Sequence, residues 1–214
     1  RGRAAQGEPG GVLLSLLMTI GAAALAFPGG ILLACCAWRF RGWPRKVLFL
    51  WAELIRGIPL IFVIFWLWFL LPWITGADLP GAVTVTLALA WFTSASVMYS
   101  TLAALGALPR GQYEAALSSG FSSAQILHRV LLPQALRNAL PSFNGLLIAL
   151  LKDTSLAFIV NVPELTTVAG QVNNRVQIYP AEIFLFIGLI YYLLCATLAA
   201  VAGRWVVRRK AVSS

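Results

Sequence analysis

The chain has 214 residues, of which 60% are hydrophobic and 11% charged, with a formal net charge of +9. So little charge beside so much apolar surface excludes an ordinary water-soluble domain and fits a chain solvated by a bilayer. The positive balance suggests nucleic acid in a soluble protein, but its distribution along the chain points to membrane topology instead.

No charged side chain occurs between Glu8 and Arg39, Arg56 and Asp78, Asp78 and Arg110, or Glu182 and Arg204. Each gap holds the ~20 residues that a spanning helix needs. With a further apolar region interrupted by Lys152-Asp153, five spans are expected, at Val12–Trp38, Val47–Pro72, Gly81–Leu105, Leu140–Val160 and Ile183–Val206. The runs are continuous and rich in Leu and Ala, unlike the short alternating segments of an outer-membrane barrel. The first is too long for the apolar part of a signal peptide and lacks a convincing cleavage site, so it reads as a retained helix. The expectation is one all-α integral membrane domain over residues 1–214.

The loop after the first span carries Arg39, Arg41, Arg45 and Lys46 and no acid, and the next has only Asp78. The third carries Arg110, Arg129 and Arg137 against Glu114, and the fourth Arg175 against Glu164 and Glu182. The tail holds Arg204, Arg208, Arg209 and Lys210. Basic loops alternate with poor ones, which places the N-terminus outside and the C-terminus in the cytoplasm. Arg1 and Arg3, with Glu8 nearby, weigh slightly the other way. Nucleic acid is not an expected partner; the bilayer is.

Pro28-Gly29-Gly30 and Gly57 with Pro59 are expected kinks in the first two spans. Trp38, Trp43, Trp73 and Trp205 lie near span ends and read as interfacial anchors. Cys35, Cys36 and Cys195 are odd in number and lie in apolar spans, so they read as packed thiols. With His128 alone they form no metal-ligand spacing, and neither a metal site nor a catalytic group is expected.

The loop at about 109–134 is the most informative stretch. Pro109 is expected to end the third helix and Gly111 to allow a turn. Gln112 to Ser118 then suits a short helix ended near Gly120. Ser122-x-x-Gln125 fits a capping box for a second helix with Ile126, Leu127, Val130 and Leu131 on one face, interrupted at Pro133. An ordinary interfacial loop explains that apolar face. It does not explain Glu114-Ala115-Ala116-x3-Gly120-x9-Val130-x-Leu132-Pro133. Two alanines let a partner approach closely, Glu114 offers a carboxylate, and Gly120 sets the exit direction.

This segment resembles the EAA loop of ATP-binding-cassette importer permeases, EAA-x3-G-x9-I-x-L-P, with Val130 in place of Ile. Glu53-x-x-Arg56-Gly57-x-Pro59-Leu60, Leu151-Lys152-Asp153-Thr154-Ser155-Leu156 and Val162-Pro163-Glu164-Leu165 are similar to elements of the polar amino acid uptake permeases. The resemblance covers nearly the whole chain. It implies a type I importer fold with a cytoplasmic coupling helix between spans three and four. That helix would seat in a groove of a separate ATPase subunit, through Glu114, Ala115, Ala116, Gly120 and Pro133. It also implies a second permease subunit, identical or not, and a periplasmic or extracellular amino-acid-binding protein. The location implied is the bacterial cytoplasmic (inner) membrane. The chain has no G-x-x-x-x-G-K-[ST] loop, so ATP and Mg are expected on the partner and no cofactor on this chain. The expected substrates are polar amino acids: glutamate/aspartate, glutamine or basic ones. A permease for another small solute such as methionine, and a structural membrane protein without a pathway, are the alternatives. The chain departs from the family's A-E-x-x-R-G-G-I pattern, carrying Tyr99 and Leu102 at the charged positions.

Charge inside a membrane costs roughly 2.5–3.5 kcal/mol on insertion scales, which draws attention to Lys152 and Asp153. Two readings stand. Lys152 faces a substrate carboxylate and Asp153 an ammonium, with hydroxyls from Thr154 and Ser155; or the pair is structural at a span end. Adjacent helical residues diverge by about 100°, so both reach one spot only where the helix is broken. Glu53 and Arg56 read either as an i, i+3 ion pair or as a gate. The outer loop from Val162 to Pro180, with Gln171, Asn173, Asn174, Arg175 and Gln177, reads as a solvated surface or as a dock for the binding protein.

Overall fold

A computed structural model describes residues 10–76, 78–176 and 179–211, the side chains of 176 and 205–211 excepted. Arg1, Arg3, Glu8, Gln177 and the side chains of Trp205, Arg208, Arg209 and Lys210 lie outside the described residues. All the named elements are helical: α1 (Val12–Arg39), α2 (Trp43–Gly57), α3 (Leu60–Thr75), α4 (Gly81–Gly106), α5 (Arg110–Ser118), α6 (Ser123–Gln125), α7 (Leu132–Asp153), α8 (Leu165–Val176) and α9 (Pro180–Ala211). A π-helical turn at Ile126–Leu131 joins α6 to α7, and a 3-10 segment at Thr154–Val160 extends α7.

Four helices or helical runs are long and apolar enough to cross a membrane, and the bent pair α2–α3 allows a fifth crossing. The packing decides how that pair counts. A Cβ on Gly21 would face Thr86, and one on Gly30 would face Ser94 and Val97, so α1 and α4 run parallel. The chain between them must therefore return to the level where α1 began. The pair α2–α3 makes that return, and counted as one bent span it brings the candidate crossings to five. The kink expected at Gly57 and Pro59 in the span at Val47–Pro72 is present, as a sharp bend. The chain turns by 101° between Gly57 and Leu60, because Ile58, placed before Pro59, is held extended (φ −101°, ψ 134°).

Around α4 the core divides into three layers. Val85, Ala88 and Leu89 pack with Met18, Ala22, Val63, Ile64 and Leu150 near one end. Ala95 and Met98 meet Ala34, Ala52 and Ile55 in the middle. Ala104 and Leu105 join Cys35, Ala116, Ile126, Leu127 and Leu131 at the other. The contact face of α1 is Ala22, Ala26, Gly30, Ala34 and Ala37, all buried. Small residues at this spacing let helix backbones approach closely where lipid supplies no hydrophobic drive. Pro28 lies inside the continuous helix α1, and its neighbour Gly30 marks the close approach to α4.

Apolar side chains also face outward. On α9, Leu185 and Phe186 are 74% and 62% exposed, and on α3 Phe69 is 62% exposed, as lipid-facing helices require. Trp43 and Trp73 are exposed at helix ends, as anchors would be. Trp38, partly exposed, packs edge-to-face on Tyr113 of α5, ring centroids 6.1 Å apart. Cys36 is exposed, unlike the buried Cys35 and Cys195.

Candidate functional site

The loop at about 109–134 forms a knuckle, built from its backbone upward. α4 ends at Gly106, and Pro109, with no N–H to offer, stands at the N-cap of α5. Gly111 is helical rather than the expected turn residue. α5 closes in a Schellman motif: Gly120 N–H donates to Leu117 C=O at 3.0 Å, and Phe121 N–H to Ala116 C=O at 3.2 Å. The motif requires a left-handed residue, and Gly120 has φ 83°. Phe121 closes over Ala116 in the same apolar cluster. The expected capping box is present: Gln125 N–H donates to Ser122 Oγ at 3.4 Å, and Ser122 N–H to Gln125 Oε1 at 2.9 Å.

Beyond the capping box the helix continues where an interruption at Pro133 was expected. Residues Ser123–Val160 form one helical run of 38 residues. The π turn explains this. Leu132 N–H reaches back five residues to Leu127 C=O, and the widened turn accommodates the ring of Pro133, which lies at the start of α7. Gln134 Nε2 donates to Val130 C=O at 2.8 Å, supplying a side-chain donor to a carbonyl beside the irregular turn.

The two alanines differ in burial. Ala116 is buried against the layer beneath, while Ala115 is exposed with Glu114, Leu117, Ser118 and Ser119. Leu117, an apolar side chain 52% exposed at the tip of a polar loop, is one the motif did not single out. Its distinguishing signal was its place next to Ala116, pointing away from the cluster. Gly120 is exposed and Pro133 lies on the rod just past the π turn.

The other candidates fall at two levels of the bundle. Lys152 is exposed at the end of α7 and Asp153 is partly covered. The helix tightens to 3-10 immediately after Asp153. Thr154 does not share the Lys152 surface: it is fully buried, and its hydroxyl donates to Leu151 C=O at 2.7 Å. Ser155 is partly buried. Glu53 and Arg56 are exposed on α2, beside Ala52 and Ile55 of the middle layer. They form no ion pair with one another among the described residues; both engage Tyr99. Tyr99 Oη donates to Glu53 Oε1 at 3.2 Å, and the Arg56 guanidinium lies 4.5 Å from the ring centre. Tyr99 is thus the hub of this cluster. Leu102 packs against the middle layer.

The outer segment expected as a loop contains a helix, α8. Glu164 caps it, accepting from Thr166 N–H at 2.8 Å and Thr167 N–H at 2.7 Å. Thr167 Oγ1 at 3.0 Å and Tyr191 Oη of α9 at 3.1 Å also donate to this carboxylate, which is fully buried. Burial pushes its pKa above the ordinary glutamate range, and these four donors oppose that shift. Gly11 N–H donates to Pro163 C=O at 2.9 Å, and Leu165 N–H to Ser15 Oγ at 3.3 Å, tying the start of α1 into the same knot. Gln171, Asn174 and Arg175 are exposed on α8 and Asn173 is partly covered.

Comparison with known proteins agrees with this architecture. Residues 26–212 match the family described as "Binding-protein-dependent transport system inner membrane component". The chain is 38% identical over 159 residues to the probable glutamine ABC transporter permease protein GlnP of Bacillus subtilis (strain 168), covering 73% of this chain and 72% of that one. It is 34% identical over 196 residues to the inner membrane amino-acid ABC transporter permease protein YhdY of Escherichia coli (strain K12), covering 89% of this chain and 53% of that one. Among solved structures, a chain of an amino acid ABC transporter crystallised with histidines superposes with a TM-score of 0.83 at 26% identity, covering 92% of each chain. A chain of the inward-facing MetNI methionine ABC transporter shares the fold, with a TM-score of 0.70 at 23% identity over 92% of this chain and 93% of that one. The chain therefore belongs to the family of inner-membrane permease components of binding-protein-dependent ABC transporters.

Proposed function

We propose that this chain is the membrane-spanning subunit of an importer for polar amino acids, among them glutamate/aspartate, glutamine or basic amino acids, driven by a separate ATPase. The observation that carries the reading is the outer face of α5: Glu114, Ala115 and Leu117 stand exposed on a helix fixed at both ends. That face offers a carboxylate, a close-approach site and an apolar contact to a motor subunit. The ATPase supplies the ATP and Mg sites. α5 faces the cytoplasm, and the opposite end receives the soluble binding protein. A second permease subunit, identical or related, completes the enclosure, since five helices rarely surround a path alone.

Lys152 is the group assigned to the substrate carboxylate, with Asp153 and Ser155 beside it. Thr154, turned inward, is held by Leu151 C=O at the change from α to 3-10 helix. Glu53 and Arg56, held by Tyr99, are assigned to a gate in the middle layer. The test is reconstitution of the chain with its co-purifying ATPase and binding protein, followed by ATP-dependent uptake across labelled amino acids, methionine included. Saturable uptake of a polar amino acid is expected; uptake of methionine alone, or of none, overturns the reading. Glu114→Lys reverses the charge at the grip and removes a charge-assisted bond worth about 1.5–3 kcal/mol. A pull-down should show ATPase association at least tenfold weaker, and wild-type association would remove Glu114 from the interface.

A further inference from the structure

At the knuckle end of the bundle lies a cleft of about 710 Å³ between the end of α1, the α1–α2 turn and the knuckle. Three guanidinium-bearing residues, Arg39, Arg41 and Arg45, line it, and no carboxylate does. All three are exposed, and none forms an ion pair among the described residues. The remaining lining is aromatic and hydroxylic. Trp38 and Phe40 form walls, and Tyr113 Oη lies 3.4 Å from Ser123 Oγ. The Arg45 guanidinium lies 5.3 Å from the centre of the Phe49 ring, which leaves its charge without a carboxylate partner; three such cations with two hydroxyls beside apolar walls suit a polyoxygen anion attached to an apolar body.

The neighbouring helix indicates where that anion comes from. Trp43, Val47, Leu50 and Leu54 on α2 are 76%, 41%, 60% and 56% exposed. Their spacing of four, three and four residues puts them on one face. A helix with an exposed apolar stripe and with Arg45 and Lys46 in its first turn suits a bilayer boundary. The cleft therefore sits at headgroup level. Basic pockets between membrane helices on the cytoplasmic side suit acidic lipid headgroups.

We infer that this cleft holds the phosphate headgroup of an anionic phospholipid, which bridges the α1–α2 turn to the knuckle that grips the motor. The leaflet assigned rests on the sidedness given under Proposed function; the binding itself does not depend on transport. Arg39, Arg41 and Arg45 hold the phosphate oxygens, while Tyr113 and Ser123 present hydroxyls from the knuckle side. Each guanidinium contributes about a fivefold gain in retention, and the three together on the order of 100-fold.

The test is native mass spectrometry of the full chain, purified with its co-purifying subunits, and titrated with phosphatidylglycerol, phosphatidylcholine or inorganic phosphate. Phosphatidylglycerol should be retained, phosphatidylcholine should not, and phosphate should compete weakly. Replacing all three residues (Arg39→Gln, Arg41→Gln, Arg45→Gln) should abolish retention. Arg45→Gln alone should weaken it about fivefold, and Arg204→Gln, outside the cleft, should leave it unchanged. Equal retention of both lipids, displacement by phosphate at the lipid's own concentration, or wild-type retention in the triple and single variants would each overturn the inference. So would a triple variant that sheds the ATPase while keeping its lipid, since the cleft would then be part of the motor dock. Loss of amino acid uptake with lipid retention intact would bear only on the functional reading.

Discussion

The contact between α1 and α4 allows a substitution whose cost follows directly from geometry. A Cβ on Gly30 would lie 2.6 Å from Ser94 O, 2.6 Å from Val97 Cβ and 2.7 Å from Val97 Cγ1. Carbon atoms prefer separations of about 3.5–4.0 Å, so Gly30→Ala requires the helices to part by roughly 1 Å. Two of the three obstructing atoms, a backbone oxygen and a Cβ, cannot rotate away. Overpacking of a close-fitted core costs about 1–3 kcal/mol, or roughly fivefold to more than 100-fold in the folded population. Gly29 is the internal control, since a Cβ there meets nothing within 4 Å. Gly29→Ala should be neutral or gain about 0.5–1 kcal/mol from helix propensity. Thermal melting of the detergent-purified chain, followed as the loss of its monodisperse chromatographic peak, reads the difference. Gly30→Ala melting at or above the temperature of Gly29→Ala would refute the close-packing argument.

Gly120→Ala keeps the space around the residue, where a Cβ meets nothing within 4 Å, but not the backbone freedom needed at φ 83°. It should cost about 1–2 kcal/mol and loosen α5, read as faster proteolysis of the knuckle; cleavage at the wild-type rate would discount the motif. Lys152→Ala should lower uptake about 10- to 100-fold, the worth of a charge-assisted bond, while leaving the assembly intact on gel filtration; normal uptake would make Lys152 structural. For Glu164 the sign follows from its raised pKa. The folded state holds its proton to higher pH than the unfolded state, so stability is greatest below the ordinary glutamate value of about 4.3 and falls as pH rises through the raised folded value. The margin of wild type over Glu164→Gln in melting temperature should narrow over that window, and a margin that widens with pH would contradict the assignment.

The legible parts of the chain were those where one residue type has one physical use. Long uncharged runs gave the crossings, Ser122 and Gln125 gave the capping box, and Gly120 gave the end of α5. The parts that sequence left hidden depend on partners distant in the chain. Glu164 caps α8 only because Tyr191, twenty-seven positions away, and Thr167 donate to the same carboxylate, so a polar stretch that suggested a loop forms a helix. Pro133 was expected to interrupt a helix because the π turn that accommodates it is not encoded in a recognisable pattern. Glu53 and Arg56 fit i, i+3 pairing, but Tyr99 from another helix intercepts both. Ala115 and Ala116 are chemically identical in sequence, and only packing reveals that one is foundation and the other surface.

The shape of the run from the knuckle to Lys152 bears on how a pull on α5 is transmitted. At 1.5 Å per residue the Ser123–Val160 run is roughly 57 Å long, and its irregular turns lie at its two ends. The π turn at Ile126–Leu131 adjoins the grip, and the 3-10 segment at Thr154–Val160 adjoins the assigned substrate residue. Between them α7 is uninterrupted even at Pro141. Irregular helical turns bend more easily than α-helix because their hydrogen bonds are poorer. A displacement of α5 is therefore carried by a stiff shaft and released as rotation at its ends. On this reasoning, lengthening α7 within its regular part should uncouple ATP hydrolysis from uptake more severely than a substitution in the 3-10 segment. Inserting one alanine after Gly145 rotates everything beyond it by about 100° and turns Lys152 away from its present face. ATPase activity that persists without uptake is the expected result. Uptake that survives the insertion would show that α7 is not the element carrying the motion.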